Sequence, residues 1–406
     1  YINPETNTAH KCNMCNHRLE VGLEPSCQIV CPTEAIKIGD LDDPTSDISR
    51  VIARDDVAVR APEQNTKPKV YYRGADQAAL DPTRTAIAND GMIWADTTPN
   101  HPTVAVDLGR TPADLDGVVA RTTYTTAHQR TWKEKVSGYF VTKAIAGGVM
   151  VLAALQVLLG NSSEQAAVGV VPPMVAGVFL AATGALLVAD LKQPTRFHYL
   201  LTKGNWSSWL VKGAYVLMAF ALVTALWWIA GLADSAGMLE VLAIPAALLG
   251  FGTAGYTAFL FGQCEGRDLW QTPLLLPTLL GRAVVAGGSA YLILDVFMTI
   301  PDAEAMRWAT LGGLGAVALL TWLELASQGS RHVELAVHNM TRGDTAFLFW
   351  NGVVVGLAIP AILLIVDRAA DASNPSLGAI AAIMALLGMW FAETAFVRAG
   401  QSVPLS

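Results

Sequence analysis

The chain of 406 residues is 52% hydrophobic and only 15% charged, well short of the ~25% of charged residues in a soluble globular domain, so a wholly soluble fold is excluded. A formal net charge of -7 and the lack of any Lys/Arg-rich run exclude binding along a nucleic-acid backbone. Residues 1–135 are polar and rich in Pro, Asp and Thr, whereas residues 136–400 are long apolar runs with short polar breaks.

The chain opens at Tyr1 in what reads as the middle of a domain, so the head is expected to be either the C-terminal part of a longer one or a reduced version of it. Four of the five cysteines follow the pattern Cys12-x2-Cys15-x11-Cys27-x3-Cys31-Pro32. Such crowding is metal-ligand spacing rather than a disulfide framework. A final Cys followed by Pro is how the bacterial ferredoxin run ends, and in two-cluster ferredoxins that last Cys serves the other cluster. By that logic Cys12, Cys15 and Cys27 hold one [4Fe–4S] cluster and Cys31 completes a second. A four-Cys structural zinc site is the competing reading. Thr33–Ile38 reads as a helix turn and strand, and Lys69–Arg73 as a further short strand. Cys264, alone at a helix end, reads as an inert small residue. Residues 1–75 then form a ferredoxin-like head, and 76–135 an extended connector laid over the head or over a partner subunit.

From residue 136 to 400 the sequence predicts eight transmembrane helices, each long enough to cross a hydrocarbon core that needs about 20 apolar residues. Their expected bounds are Gly138–Leu159, Ala166–Asp190, Ser207–Leu232, Met238–Gly262, Leu274–Met298, Arg307–Ala326, Thr345–Val366 and Leu377–Arg398. Small residues inside them (Gly147–Gly148, Gly250, Gly287–Gly288) permit close backbone approach, and Pro172, Pro245, Pro277 and Pro360 are tolerated within spans. Positive charge gathers on the N-terminal side of the bundle, at Arg130, Lys133, Lys135, Lys192, Arg196, Lys203, Arg267, Arg331, Arg342 and Arg398. The opposite side has only Arg307 and Arg368. That asymmetry puts the head and both ends of the bundle on the cytoplasmic side. None of the histidines lies in a predicted span, so the axial ligands of a membrane haem are missing and no haem is expected. A lipid-soluble quinone is then the natural redox partner.

The segment "KCNMCNHRLEVGLEPSCQIVCPTEAIKIG" (Lys11–Gly39), with Arg18, Gly22 and Pro25, resembles the last cysteine motif of the four-cluster iron–sulfur subunits of molybdopterin oxidoreductases. "TKPKVYY" (Thr66–Tyr72) resembles the tail of such subunits. "ADLKQPTRFHYLLTKGNWSSWLVKGAY" (Ala189–Tyr215) and "GYTAFLFGQCEGRDLWQTPLLLP" (Gly255–Pro277) resemble the NrfD-like polysulfide reductase membrane subunits. Those usually are separate subunits; here they form one chain. The resemblance implies a mainly α membrane protein of two four-helix bundles that binds menaquinone or ubiquinone at the face nearest the clusters. It also implies a separate molybdopterin-containing catalytic subunit, in a bacterial or archaeal cytoplasmic membrane.

In that family a Tyr on the fourth helix and a polar residue on the first contact the quinone, and Tyr256 and Lys143 occupy the matching positions, Lys being a departure. Lys143 lies about one and a half turns into the first helix, roughly 8 Å along its axis. Asp190, Arg196, His198 and Gln263 share the same membrane face and complete the candidate quinone set, with Asp190 pairing with Lys143 or relaying a proton. Lys212, Arg282, Asp295, Glu324 and Glu393 are ionisable groups at membrane depth and so functional candidates by default. They could form a proton path or static pairs, Arg282 with Glu324 among them. Two other partnerships stay open: a nickel–iron hydrogenase in place of the molybdopterin subunit, and a transporter or channel with a zinc-stabilised head.

Overall fold

The computed structural model describes residues 8, 11–76, 80, 132–191, 193–327, 329–369 and 374–403. They divide into two units. The first holds the described residues of 9–28 and 34–129, and the second joins residues 8 and 29–33 to the described part of 130–406. Nearly all of the predicted connector lies outside the described residues.

In the first unit, helix Asp47–Arg54 starts at Ser46, whose hydroxyl accepts from the Ser49 N–H (3.2 Å) and so satisfies one of the open amide donors of the first turn. It leads into a two-residue antiparallel pair, Val57–Ala58 with Tyr72–Arg73, in register Val57↔Arg73. Asp55, between helix and strand, accepts from Arg54 (2.7 Å) and Arg73 (2.7 Å). Those two guanidinium hydrogen bonds hold its carboxyl well below the usual range. The Lys69–Arg73 strand is thus real but shorter than its β-branched and aromatic content suggests. The strand expected after Pro32 has no ladder partner among the described residues; the Ile38 N–H instead meets Gln28 Oε1 (2.9 Å).

The second unit contains eight helices long and apolar enough to span a membrane: Glu134–Leu158, Gln165–Asp190, Trp209–Leu232, Ala236–Gly262, Leu275–Leu294, Ala303–Ala326, Ala346–Ala369 and Pro375–Gly400. Spans one to four pack as one four-helix bundle and five to eight as another, joined where the fifth and eighth pack on the first. The first span is accordingly the most enclosed, 78% buried, whereas the second and sixth are 22% buried and turn side chains such as Val178 and Trp322 outward. Exposed apolar surface of this extent is what lipid covers.

Glycines set the closest approaches. A Cβ on Gly250 would stand 2.7 Å from the Gly147 carbonyl, and one on Gly148 would run into the backbone of Ala283 and Gly287 on the fifth span. The second of these crossings locks the two bundles together. Two of the proline sites follow a widened helical turn. Pro172 and Pro173 open the α-helical part of the second span after a π turn at Gln165–Val170, and Pro360 follows a π turn at Val354–Ala358. A wider turn relieves the clash of a proline ring with the carbonyl of the turn before it.

Two bounds shift for a chemical reason. The fifth helix stops at Leu294 and the sixth begins at Ala303, so Asp295 and Arg307 face each other across the turn (3.1 Å). Arg307 is 6% exposed. It is therefore an internal ion-pair member, not the interfacial charge its position suggests.

Candidate functional site

The cysteine loop is shaped by local hydrogen bonds. The Met14 N–H donates to Cys12 Sγ (3.4 Å), and Met14 and Cys15 both have positive φ, which turns the peptide back toward the sulfur. Arg18 Nε donates to the Glu24 carbonyl (2.7 Å), and Gly22 takes φ +76°, a left-handed conformation that costs glycine nothing sterically. This closed loop brings Ser26, at the start of helix Ser26–Val30, to 4.0 Å from Cys15 Sγ. Cys12 and Cys27 are exposed, Cys15 half-buried and Cys31 buried. Among the described residues no three His, Cys, Asp or Glu side chains converge as one metal ion would require. The donor chemistry fits thiolate-held clusters, with an N–H···S contact of the kind that supports metal-bound sulfur.

Cys31 belongs to the membrane unit. The Asn205 N–H donates to the Pro32 carbonyl (2.8 Å), Asn205 Nδ2 to the Cys31 carbonyl (3.1 Å), and the Ser208 hydroxyl to the Val30 carbonyl (3.2 Å). Three carbonyls of the Cys-Pro turn are thus tied to the loop between the second and third spans. We call this end of the bundle the Cys31 side.

At that end, among spans one to four, lies an apolar cleft of about 410 Å³, within the ~300–1,000 Å³ of small-molecule sites. Tyr139, Tyr256, Phe197, Leu200 and Leu201 line it, and Asp190 supplies the one carboxylate among its described walls. Tyr256 is held in place by Gly213 of the third span, where an added Cβ would overlap the phenol ring. Lys143 lies behind the cleft, not in it. It is 1% exposed, its Nζ donates to Thr257 Oγ1, and it stands 4.5 Å from the Phe140 ring centre and 5.0 Å from that of Tyr256. The ammonium is thus turned inward rather than snorkelling to the interface.

The other expected residues separate. His198 and Arg196 sit exposed in the loop, with His198 Nδ1 3.0 Å from the Thr195 carbonyl. Gln263 spends both ends of its amide on clamping two spans: its Oε1 accepts from the Trp209 N–H (2.8 Å) and its Nε2 donates to the Ser207 carbonyl (2.8 Å). Lys212 lies over the Trp209 ring (4.9 Å). Arg282 pairs with Glu393 (2.6 Å) rather than with Glu324 as expected, although Glu324 lines a cavity with it. Asp295 and Asp367 both pair with Arg307. Tyr139 was not singled out from the sequence. Its signal was its place four residues before Lys143, which puts both on one helix face.

Residues 125–404 match the family described as "Polysulphide reductase, NrfD", and residues 1–41 match the 4Fe-4S dicluster domain. The protein is 25% identical over 260 residues to a polysulfide reductase polypeptide of Wolinella succinogenes, a match covering 57% of this sequence and 82% of that one. It is 46% identical over 84 residues to a tetrathionate reductase subunit of Salmonella typhimurium, covering 20% of this sequence and 34% of that one. With a second polysulfide reductase polypeptide of Wolinella succinogenes it shares 42% over 72 residues, 18% of this sequence and 38% of that one. It thus spans only about a third of the length of the two relatives matched by its N-terminal part. Regions similar to two separately named polypeptides of one organism occur here in a single one. With a match running from before the first span to beyond the eighth, the protein is a multi-pass membrane protein that belongs to the polysulphide reductase, NrfD family and carries a 4Fe-4S dicluster domain at its N-terminal end.

Proposed function

We propose that this chain passes electrons between iron–sulfur clusters and a membrane quinone, menaquinone or ubiquinone, on behalf of a separate molybdopterin-containing catalytic subunit. Cys12, Cys15 and Cys27 would hold one cluster and Cys31 would contribute to another; when bound, such clusters supply one-electron steps. The observation that carries the reading is the tie between the Cys31-Pro32 turn and Asn205. Asn205 lies between Leu200–Leu201 and Leu210, which wall the cleft. A redox ligand and a quinone-sized apolar cleft therefore share one short loop.

Reducing a quinone to quinol takes two electrons and two protons. In the cleft the Tyr256 hydroxyl would donate to a quinone carbonyl oxygen, and the aliphatic walls would hold the ring and exclude water. Asp190 would exchange protons with the aqueous phase. Lys143, stacked behind the tyrosines, would bias their hydroxyls electrostatically. The eight spans carry no histidine, so electron transfer here is proposed to run from cluster to quinone without haem. Interfacial arginines and lysines favour a cytoplasmic location for the Cys31 side. With Arg307 buried, Arg368, itself paired with Glu304, is what remains of the opposing charge.

Replacing Tyr256 with Phe removes the donor while keeping the ring. The kcat/KM for quinone is expected to fall about tenfold, the cost of one hydrogen bond to a developing charge, with the cluster signals in electron paramagnetic resonance unchanged. Unaltered quinone kinetics would take Tyr256 out of the site. Cys12→Ser is expected to cost one cluster in the same spectra, and a full complement would overturn the ligand assignment. Iron and acid-labile sulfide in equal amounts support the clusters, whereas zinc without visible absorbance removes them. A co-purifying molybdopterin subunit supports the proposed partner, and a nickel–iron hydrogenase subunit would replace it.

A further inference from the structure

One wall of the cleft is an indole held by both bundles. Trp132 lies two residues ahead of the first span and lines the cleft together with Val136 and Tyr139, one and two turns further on. Its backbone is gripped by a residue far along the chain. The Trp132 N–H donates to Gln401 Oε1 (3.0 Å), and Gln401 Nε2 donates to the Trp132 carbonyl (2.8 Å). Gln401 stands at the C-terminal end of the eighth span, where the same Nε2 also donates to the Val397 carbonyl (3.0 Å). A side chain of the second bundle thus fixes a wall of the first bundle's cleft.

The ring is fixed as well. Trp132 stacks on Trp270 (centroids 4.9 Å apart, planes 17° apart) and leans on Phe261 (4.9 Å, 40°). Phe261 and Trp270 are themselves 4.7 Å apart, so the three centroids form a nearly equilateral triangle and both neighbours crowd one side of the Trp132 ring. Trp270 and Phe261 are buried. Trp132 is only half-buried, and the surface it keeps open belongs to the cleft. Gly400 makes room for this arrangement, since a Cβ there would run into the indole nitrogen of Trp270. The result is a rigid aromatic shelf. The other described walls of the cleft are apolar apart from the Tyr139 and Tyr256 hydroxyls and Asp190.

We propose that Trp132 is the specificity-determining wall of the cleft: the quinone ring stacks on it, and a fused two-ring naphthoquinone is held in preference to a benzoquinone. Gln401 is its positioning residue. The assignment rests on the quinone reading above. Offset stacking of aromatic rings contributes beyond simple burial, about two- to tenfold in affinity, and grows with the ring area that overlaps the shelf. A naphthoquinone adds a second hydrocarbon ring to that overlap. A benzoquinone of the ubiquinone kind has methoxy oxygens at the same edge, and apolar walls leave them without hydrogen-bond donors, at a cost in desolvation. Tyr256 does not discriminate, because both rings carry the carbonyl to which it would donate.

Calorimetric titration of the full chain in lipid nanodiscs tests the assignment without electron flow. The two probes are a menaquinone and a ubiquinone with the same short isoprenoid tail. The wild type should bind the menaquinone more tightly. Trp132→Leu should weaken menaquinone binding about tenfold and ubiquinone binding about threefold, so that their ratio falls about threefold. Trp132→Phe keeps a ring on the shelf and should restore part of that ratio. Gln401→Ala loosens the shelf and should lower the ratio about twofold. Added to Trp132→Leu it should cost little more, because both act through one indole. Tyr256→Phe should weaken both quinones alike and leave the ratio unmoved. A ratio that does not fall in Trp132→Leu, or a fall equalled in Tyr256→Phe, overturns the assignment and leaves the quinone reading standing. If Trp132→Leu does not fold, the ratio in Gln401→Ala decides in its place. A wild type that binds neither probe overturns the quinone reading and this assignment with it.

Discussion

The two four-helix bundles share one helical architecture and treat polarity in opposite ways. The first keeps an open cleft walled by aromatic and aliphatic side chains, with Asp190 as the one charged residue among its described walls and Lys143 folded back against the rings. The second is closed around paired and surplus charges, Arg282 with Glu393 and Arg307 with two aspartates. Their π turns differ in setting too. The one at Gln165–Val170 packs against the third span, whereas that at Val354–Ala358 packs against the eighth, beside the Arg282 cavity. In lipid a bundle can gain affinity for an apolar ligand by leaving space, or gain ionic function by filling space with charge. This chain leaves space in one half and fills the other with charge.

The sharpest way to break that contrast is to remove the central charge of each half. Arg307→Leu would leave Asp295 and Asp367 buried without a cation, and losing one partner of a buried pair costs about 3–5 kcal/mol. Lys143→Met loses one hydrogen bond and stacking on three rings, about 1–2 kcal/mol. Thermal unfolding of the two variants in detergent should therefore show a clearly lower midpoint for Arg307→Leu. Equal midpoints would mean that the second bundle takes in enough water to screen its charges.

The sequence announced the difference only in part. Eight apolar runs are legible because a bilayer demands length and backbone self-sufficiency from each span, and the Cys12–Cys31 spacing is legible because ligand chemistry fixes it. Which carboxylate Arg282 chooses is not. Glu393 and Glu324 are both far along the chain, and only helix crossings set by glycine contacts such as Gly148 against Gly287 decide. Gln263 looks like any polar residue at a membrane face, yet both ends of its amide are used as a clamp. Asn205 shows the reverse: a polar loop residue that reads as available to the quinone face instead holds the Cys31-Pro32 turn. Hydrogen-bond partners of this kind depend on loop geometry that has no periodic signature.

A smaller change tests whether the cleft depends on the exact place of Tyr256. Gly213→Ala puts a methyl group where the ring now lies, so the ring must shift. Misplacing a group by about 1 Å can reduce turnover up to ~100-fold, and quinone kcat/KM should fall roughly tenfold or more while the fold survives. Added to Tyr256→Phe, the same substitution should cost little more, because both act through one side chain. Additive losses would show that Gly213 serves helix packing and not the cleft.

The mildest test concerns Cys264, in the connection from the fourth span to the fifth where the two bundles meet. Its thiol lies 3.8 Å from the Leu260 carbonyl, and burial, only partly opposed by Arg267, pushes its pKa from 9.0 up to about 11. A thiol raised in this way contributes stability that is complete below the unfolded value and is lost as pH climbs through the folded one. Between those limits the folded chain keeps a proton that the unfolded chain releases. At pH 8 the thiolate fraction, and with it the rate of iodoacetamide labelling, should be about a hundredfold below that of an exposed cysteine. In cluster-free protein Cys12 and Cys27, both exposed, should react first. Cys264 should catch up about tenfold per pH unit as pH rises toward 11. Fast labelling of Cys264 at pH 8 would show that water reaches the junction of the bundles, and the contrast between an open first half and a closed second would then have to be redrawn there.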